Sequence, residues 1–249
     1  MNPLMSRPVL DWLKRDPRAV EQIELAGRSL PIVIRHLSQA RRLTLRLSPD
    51  GSEVRVSMPR WGRTAEALAF VRARAGWLER QIAALPKTAS LSGGGVLVYR
   101  GKALIIDHAA GGSRRVRIMD DAIALGGPAE TLAPRLRRWL TAEARRLLAD
   151  DLACYCAAAG QQLPKLALSN AQRRWGSCSA RGAVRINWRL VMAPDEVRRS
   201  VVAHEVAHLV HFDHSAKFHA LLGELFEGDI AEANRWLKRE GRGLYAVFG

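Results

Sequence analysis

Five of the chain's seven histidines fall in one run, 201-VVAHEVAHLVHFDHSAKFHA-220. His204 and His208 are four residues apart. On a helix turning about 100° per residue, their rings share one face, one turn apart. Imidazoles at that spacing can share a Zn²⁺ ion, at Zn–N distances of about 2.0–2.1 Å. Glu205 is rotated roughly 100° from His204, which puts it beside such an ion rather than on it. From there its carboxylate can take a proton from water that the metal activates. HExxH is the spacing of zinc hydrolases. The bland reading is a helix with two incidental core histidines, but buried imidazoles need polar partners and these are clustered.

A catalytic zinc takes three protein ligands and keeps a position for water. His211 lies near the same face, one turn further along. A straight helix cannot bring His204, His208 and His211 around one tetrahedral ion. His214 reaches back if the helix ends after His208, and Phe212-Asp213 is the expected exit because Asp tolerates left-handed backbone. Glu224, Glu227 or Glu232 could instead supply a carboxylate, as in His₂Glu sites. His211 is then a cleft residue and candidate substrate contact, or a cation at a helix C-terminus, where positive charge is favourable. His36 and His108 read as structural and His219 as a packing residue.

These residues need elements to carry them. 193-APDEVRRSVVAHEVAHLVH-211 is predicted to be a helix started by Pro194, Asp195 and Glu196. Ser215 can cap the next helix, SAKFHALLGELF, and DIAEANRWLKREG forms the last. Upstream, Leu132 to Ala159 reads as a long helix, followed by LPKLALSN, the turn-like WGSCSARG and the strand AVRINWRL. In the first half, Leu43, Leu45 and Leu47 alternate with polar residues, as do Val54, Val56 and Met58. The turn SPDG joins the two runs into a hairpin. Thr64 to Leu85 is predicted to be a helix ending before Pro86. VLVYRG, ALIIDH, RVRIM and AIALGG are further strands. GGGVLVYRGKA is no phosphate loop, since five residues separate Gly95 from Gly101 and Ala103 follows Lys102. No internal repeat is evident. The expected fold class is α+β: a loosely held leader over 1–27, a β-rich domain over 28–130, and a metal-binding domain over 131–249.

Composition sets the outer limits. The chain has 249 residues, 48% of them hydrophobic, enough for a real core. No run approaches the roughly 18 apolar residues of a membrane span, and no secretory signal opens the chain. Three cysteines are too few for a disulfide framework, and a reducing cytoplasm is the simplest home. The net charge is +15. From Lys165 onward there are 13 basic and 9 acidic residues, so the first 164 residues carry +11 of it. Such an excess favours anionic partners such as nucleic acid or nucleotides, or merely solubilises the surface.

The motifs 173-RRWGSCSARG-182, 185-RINWRLVMAP-194 and 204-HEVAHLVHFDHSAKF-218 together resemble the YgjP-like metallopeptidase family, relatives of SprT-type proteins. The likeness extends upstream through QARRLTLRLSPDGSEVRVSMPR and VYRGKALII. It implies zinc on His204, His208 and His214, Glu205 as acid/base, and a zincin-like domain with the HExxH helix packed on a small sheet. Two departures stand near the site: Asp213 where the family commonly has Asn, and His219 where it has Trp. Trp175 and Trp188 are expected to pack beneath the site, with Gly176 in a tight turn and Cys178 as a small packing residue. Arg173 and Arg174, on a strand beside the metal helix, could hold developing negative charge or pair with Asp195 or Glu196. Asn187 is a further candidate substrate contact.

Three functions follow as expectations. The first is zinc-dependent peptide hydrolysis, with an extended polypeptide substrate added to a sheet edge near RINWRL. The second is a nucleotide phosphohydrolase. The third is a nucleic-acid-binding protein whose metal site is structural; recruitment of a protease to nucleic acid would combine the first and third. Oligomeric state is not legible.

Overall fold

The period-2 runs of the first half pair as their alternation predicts. In the computed structural model, which describes residues 21–85 and 91–248, β3 (Thr44–Leu47) and β4 (Val54–Pro59) are antiparallel, with Leu45 opposite Val56. β1 (Gln22–Leu25) and β2 (Arg28–Leu37) form another hairpin, and β2 runs parallel to β4. The turn between β1 and β2 is Ala26-Gly27, with φ of 49° and 72°. Two successive positive φ values match the twist of a two-residue hairpin. Of the expected leader, residues 1–20 lie outside the described residues, and Gln22–Leu25 is a strand. The single helix expected from Thr64 is two, α1 (Thr64–Ala73) and α2 (Ala75–Ala83), because Arg74 leaves helical geometry at φ −108°, ψ 13°. Leu68 and Val71 of α1 and Leu78 of α2 close one core with Leu25, Ile32, Val54 and Met58.

The chain divides into two compact units, the first ending at Ala84 and the second starting at Leu85. The strands β5 (Val96–Tyr99), β6 (Lys102–Ala109), β7 (Arg117–Ile118) and β8 (Ala122–Gly126) belong to the second, whereas the sequence had grouped them with the N-terminal strands. The reason is burial: Leu97, Leu104, Ile106, Ile123 and Leu125 share a core with Leu136 and Leu140 of α3 (Leu132–Ala158).

The two four-stranded sheets also correct the expectation of no repeat. Their orders are β1-β2-β4-β3 and β5-β6-β8-β7, with the same parallel and antiparallel pairings at each position. The β5–β6 turn, Arg100-Gly101, has φ of 50° and 78°, like Ala26-Gly27. Counting from these turns, Leu30 and Ile32 correspond to Leu104 and Ile106, and all four are buried. Each sheet also ties a histidine of its second strand to a carbonyl just past its fourth: His36 Nε2 to Gly62 O (3.3 Å) and His108 Nε2 to Gly127 O (2.7 Å). Helices follow both sheets, α1 and α2 after the first and α3 after the second.

A third sheet has the order β10-β11-β9, from β9 (Leu166–Ser169), β10 (Gly176–Cys178) and β11 (Val184–Asn187). α4 (Asp195–Val210) lies against β10, β11, α3, α5 (Ala216–Leu225) and α6 (Ile230–Arg239). Val197, Val201, Val202, Ala203, Val206 and Ala207 are all buried, as expected of a helix enclosed on several sides.

Two devices hold α4. Arg198, 3% exposed, donates from Nε to Asp151 of α3 at 2.7 Å and from Nη1 to Asp195. The β5–β6 turn docks on the approach to α4, where Arg100 N–H and Gly101 N–H donate to Val191 O (2.9 Å) and Met192 O (3.0 Å). A Cβ at Gly101 would press on Pro194. Arg100 also pairs with Asp195. Burial acts to raise the Asp195 carboxyl, but hydrogen bonds and charge from Arg100 and Arg198 outweigh it and hold it below the usual carboxylate range. A lowered acid stabilises the fold above its unfolded pKa of about 3.9, and that contribution disappears as pH falls through the folded value. Stability of the wild type should therefore drop more steeply below about pH 4 than that of Asp195→Asn, read by urea unfolding across pH. Asp151→Ala, which strips a buried guanidinium of one partner, should cost about 3 kcal/mol, the low end for a broken buried pair because Asp195 remains.

Candidate metal centre

α4 carries His204, Glu205 and His208, and the chain leaves the helix one residue earlier than expected. His211 is already extended (φ −126°, ψ 109°), and Asp213 does not adopt positive φ. The reversal is finished by polar caps. Asp213 Oδ1 accepts from Ser215 N–H (3.3 Å), a turn that Asn or Asp can make, and Ser215 Oγ accepts from Phe218 N–H to start α5. This return brings His214 beside the other two rings. His204 Nε2 lies 3.2 Å from His208 Nε2 and 3.4 Å from His214 Nε2.

Those separations are a test of fit. Two nitrogens each about 2.0–2.1 Å from one tetrahedral zinc would be about 3.3–3.4 Å apart. The protonation states agree as well. His208 Nδ1 is 3.0 Å from the His211 carbonyl, so it carries the proton and leaves the Nε2 lone pair for a metal. Burial, together with His208 and His214, pushes His204 down to about 4, so its ring is neutral. Among the described residues, the set of His, Cys, Asp and Glu side chains close enough to hold a metal is His204, His208 and His214. Of the carboxylate alternatives, Glu227 is engaged with Arg199 (2.6 Å) and the Tyr155 hydroxyl (2.9 Å) and Glu232 with Arg235 (2.6 Å), and Glu224 is outside the set. Cys178 is outside the set, and burial, then the charge of Glu205, raises its thiol pKa.

Glu205 is 5% exposed, with Oε2 buried and lacking a hydrogen-bond partner. Burial pushes its pKa up to about 7, against the charge of Arg174 and the Cys178 backbone N–H, which both favour the carboxylate. Gly176 of β10 makes room for it, since a Cβ there would overlap the Glu205 side chain. His204 and Glu205 also line a cavity of about 220 Å³, together with Trp175, Ser200, Val201, Leu222, Ile230, Asn234 and Leu237.

The other expected site residues fall in different places. Arg173 and Arg174 are exposed and precede β10 rather than lying on it, and Asp195 pairs with Arg100 and Arg198 instead. Asn187 is wholly buried. Its amide donates to Ala171 O (2.7 Å) and the Tyr245 hydroxyl (2.9 Å), and its oxygen accepts from Arg189 N–H (3.1 Å). So engaged and buried, its amide has no N–H left for a substrate, and it is not part of the lining of the cavity beside Glu205. His211 contributes its carbonyl. β11, within RINWRL, pairs on both sides, so the sheet edge beside it that faces α4 is β10.

The profile of the YgjP-like metallopeptidase domain matches residues 41–240. The chain belongs to this family. Comparison with curated proteins and with solved structures gave no match. Membership in a YgjP-like metallopeptidase family supports a metal-dependent hydrolase with a metal cofactor, and the three imidazoles are a set that could bind it. The YgjP-like region starts in the β2–β3 loop and runs past α6, taking in the whole histidine cluster. No helix among the described residues is long and apolar enough to cross a membrane.

One residue of this YgjP-like centre escaped sequence reading. Phe218, fully buried on α5, lies under all three imidazoles, with ring centroids 5.0 Å from His204, 4.5 Å from His208 and 4.8 Å from His214. Its signal was its place four residues after His214, behind the Ser215 cap. Phe218→Ala should lose about 3–5 kcal/mol in urea unfolding, and Phe218→Leu less.

Proposed function

We propose that the protein is a zinc-dependent peptidase in which His204, His208 and His214 hold the ion and Glu205 is the general base. The observation that carries this reading is the meeting of three imidazole nitrogens, two pairs of them at 3.2 and 3.4 Å, next to a buried carboxyl with one unpartnered oxygen. Zinc, when bound, supplies Lewis acidity, lowering the pKa of water and polarising the scissile carbonyl. Glu205 takes the proton from the attacking water on Oε2 and delivers it to the departing amine. A pKa near 7 for the free protein suits both directions of transfer, and beside a divalent cation the carboxyl is ionised, the form that accepts a proton. The His211 carbonyl keeps His208 in the tautomer that ligation needs. Arg174, which already acts on Glu205 through space, is placed to steady negative charge on a substrate.

The α4 helix against β10 and β11 is read here as a zincin-like arrangement. An extended substrate adds to the free edge of β10, whose backbone groups pair with β11 on one side only among the described residues. Peptide is favoured over nucleotide because the cavity beside Glu205 has no lysine or arginine in its lining to hold a phosphate. Three unpaired cysteines accord with a reducing cytoplasm.

Zinc analysis and cleavage of an unfolded protein substrate provide the test. Glu205→Gln should retain zinc while turnover falls about 10²–10⁴-fold, and His204→Ala should lose zinc and turnover together. Full activity in Glu205→Gln would overturn the assignment. Adding zinc at about a thousand times its Kd to chelated protein should stabilise the fold by about 4 kcal/mol, seen as a higher Tm.

A further inference from the structure

The cavity beside Glu205 has a role that the metal centre does not need. Val201 sits one turn before Glu205 on α4, and Leu222 of α5, Ile230 and Leu237 of α6, and the Trp175 indole complete its walls. The charged or ionisable groups in the lining are His204 and Glu205. Ser200 uses its hydroxyl to donate to Val197 O at 2.9 Å, so it offers the cavity no free donor. Asn234, exposed on α6, and the Trp175 indole N–H are further polar groups of the lining.

Size narrows the occupant further. Pockets that enclose a whole small molecule measure about 300–1,000 Å³, and this one is about 220 Å³. It is large enough for one side chain and too small to enclose a whole cofactor or nucleotide. An acidic side chain entering it would meet Glu205 and no lysine or arginine, and a basic one would tie up the carboxyl that takes the proton.

We infer that this cavity is a specificity pocket that takes one large apolar side chain of the substrate, leucine- or phenylalanine-like, next to the bond being cut. The inference rests on the peptidase reading for the words "substrate" and "cut", but the chemistry of the occupant rests on the walls alone. Asn234 sets the size limit, because it is exposed on α6 and lies outside the core cluster, whereas Ile230 is partly buried and packs against that core.

Two measurements separate this inference from the peptidase proposal. In the metal-free protein, methyl NMR is followed during titration with N-acetyl-leucinamide and with N-acetyl-glycinamide. The methyl signals of Val201, Leu222, Ile230 and Leu237 should shift with the first and not the second, and Asn234→Trp, which narrows the cavity from an exposed position, should abolish the shifts. No shift up to the solubility limit, or equal shifts with both amides, overturns the inference. In parallel, the zinc-loaded protein is profiled on a randomised peptide library. A preference of at least about tenfold in kcat/KM for leucine or phenylalanine over alanine at one position flanking the cut supports it, with Asn234→Trp moving the preference to alanine or glycine. Cleavage with no such preference overturns the pocket and leaves the peptidase intact. Methyl shifts without any peptide cleavage leave the pocket and overturn the peptidase.

Discussion

A guanidinium buried between two carboxylates fixes the position of α4, and the histidine cluster depends on that position. Arg198 reaches Asp151 on the neighbouring long helix and Asp195 in its own first turn, and Asp195 is also bound by Arg100 from the β5–β6 turn. His204 stands six residues further on, about 9 Å along the axis. Imidazole nitrogens spaced within a few tenths of an ångström of a tetrahedral edge tolerate almost no sliding of the helix that bears two of them. A buried ion pair is weak support for stability by itself, but one that breaks badly is a strong determinant of register.

Around that fixed helix, the polar groups are held in states they would not adopt in water. His204 is kept neutral by burial and by its neighbours, and Glu205 is pushed toward neutrality in a wall where one oxygen has no partner. Perturbations of this kind concentrate at functional sites because a packed structure must pay for them in stability. Here the compensation is visible in Phe218, which covers the rings from below, and in Gly176, whose missing side chain leaves room for the Glu205 carboxyl.

Much of this was legible because it was local. The spacing of His204 and His208, the Ser215 cap and the alternation of Leu45 and Val56 all follow from helix or strand periods over a few residues. What escaped was set by distant partners. Asn187 reads as a polar strand residue open to a substrate until Ala171 and Tyr245, 16 and 58 residues away, use up its amide. Val96 to Gly126 reads as a continuation of the first strands until the leucines of α3 claim its inner face. The likeness of the two four-stranded sheets is not legible in the sequence because they agree in pairing, turn dihedrals and burial rather than in residue identity.

The junction after α4 has a different kind of consequence. From position 211 the site takes a carbonyl oxygen, an atom that every amino acid carries, so the side chain there is free to be exchanged without touching the orientation of the neighbouring ring. The genetic code has one sharp instrument at this codon. Proline would remove the N–H that donates to Ala207 O at 2.9 Å and would demand a φ near −65° where the backbone sits at −126°.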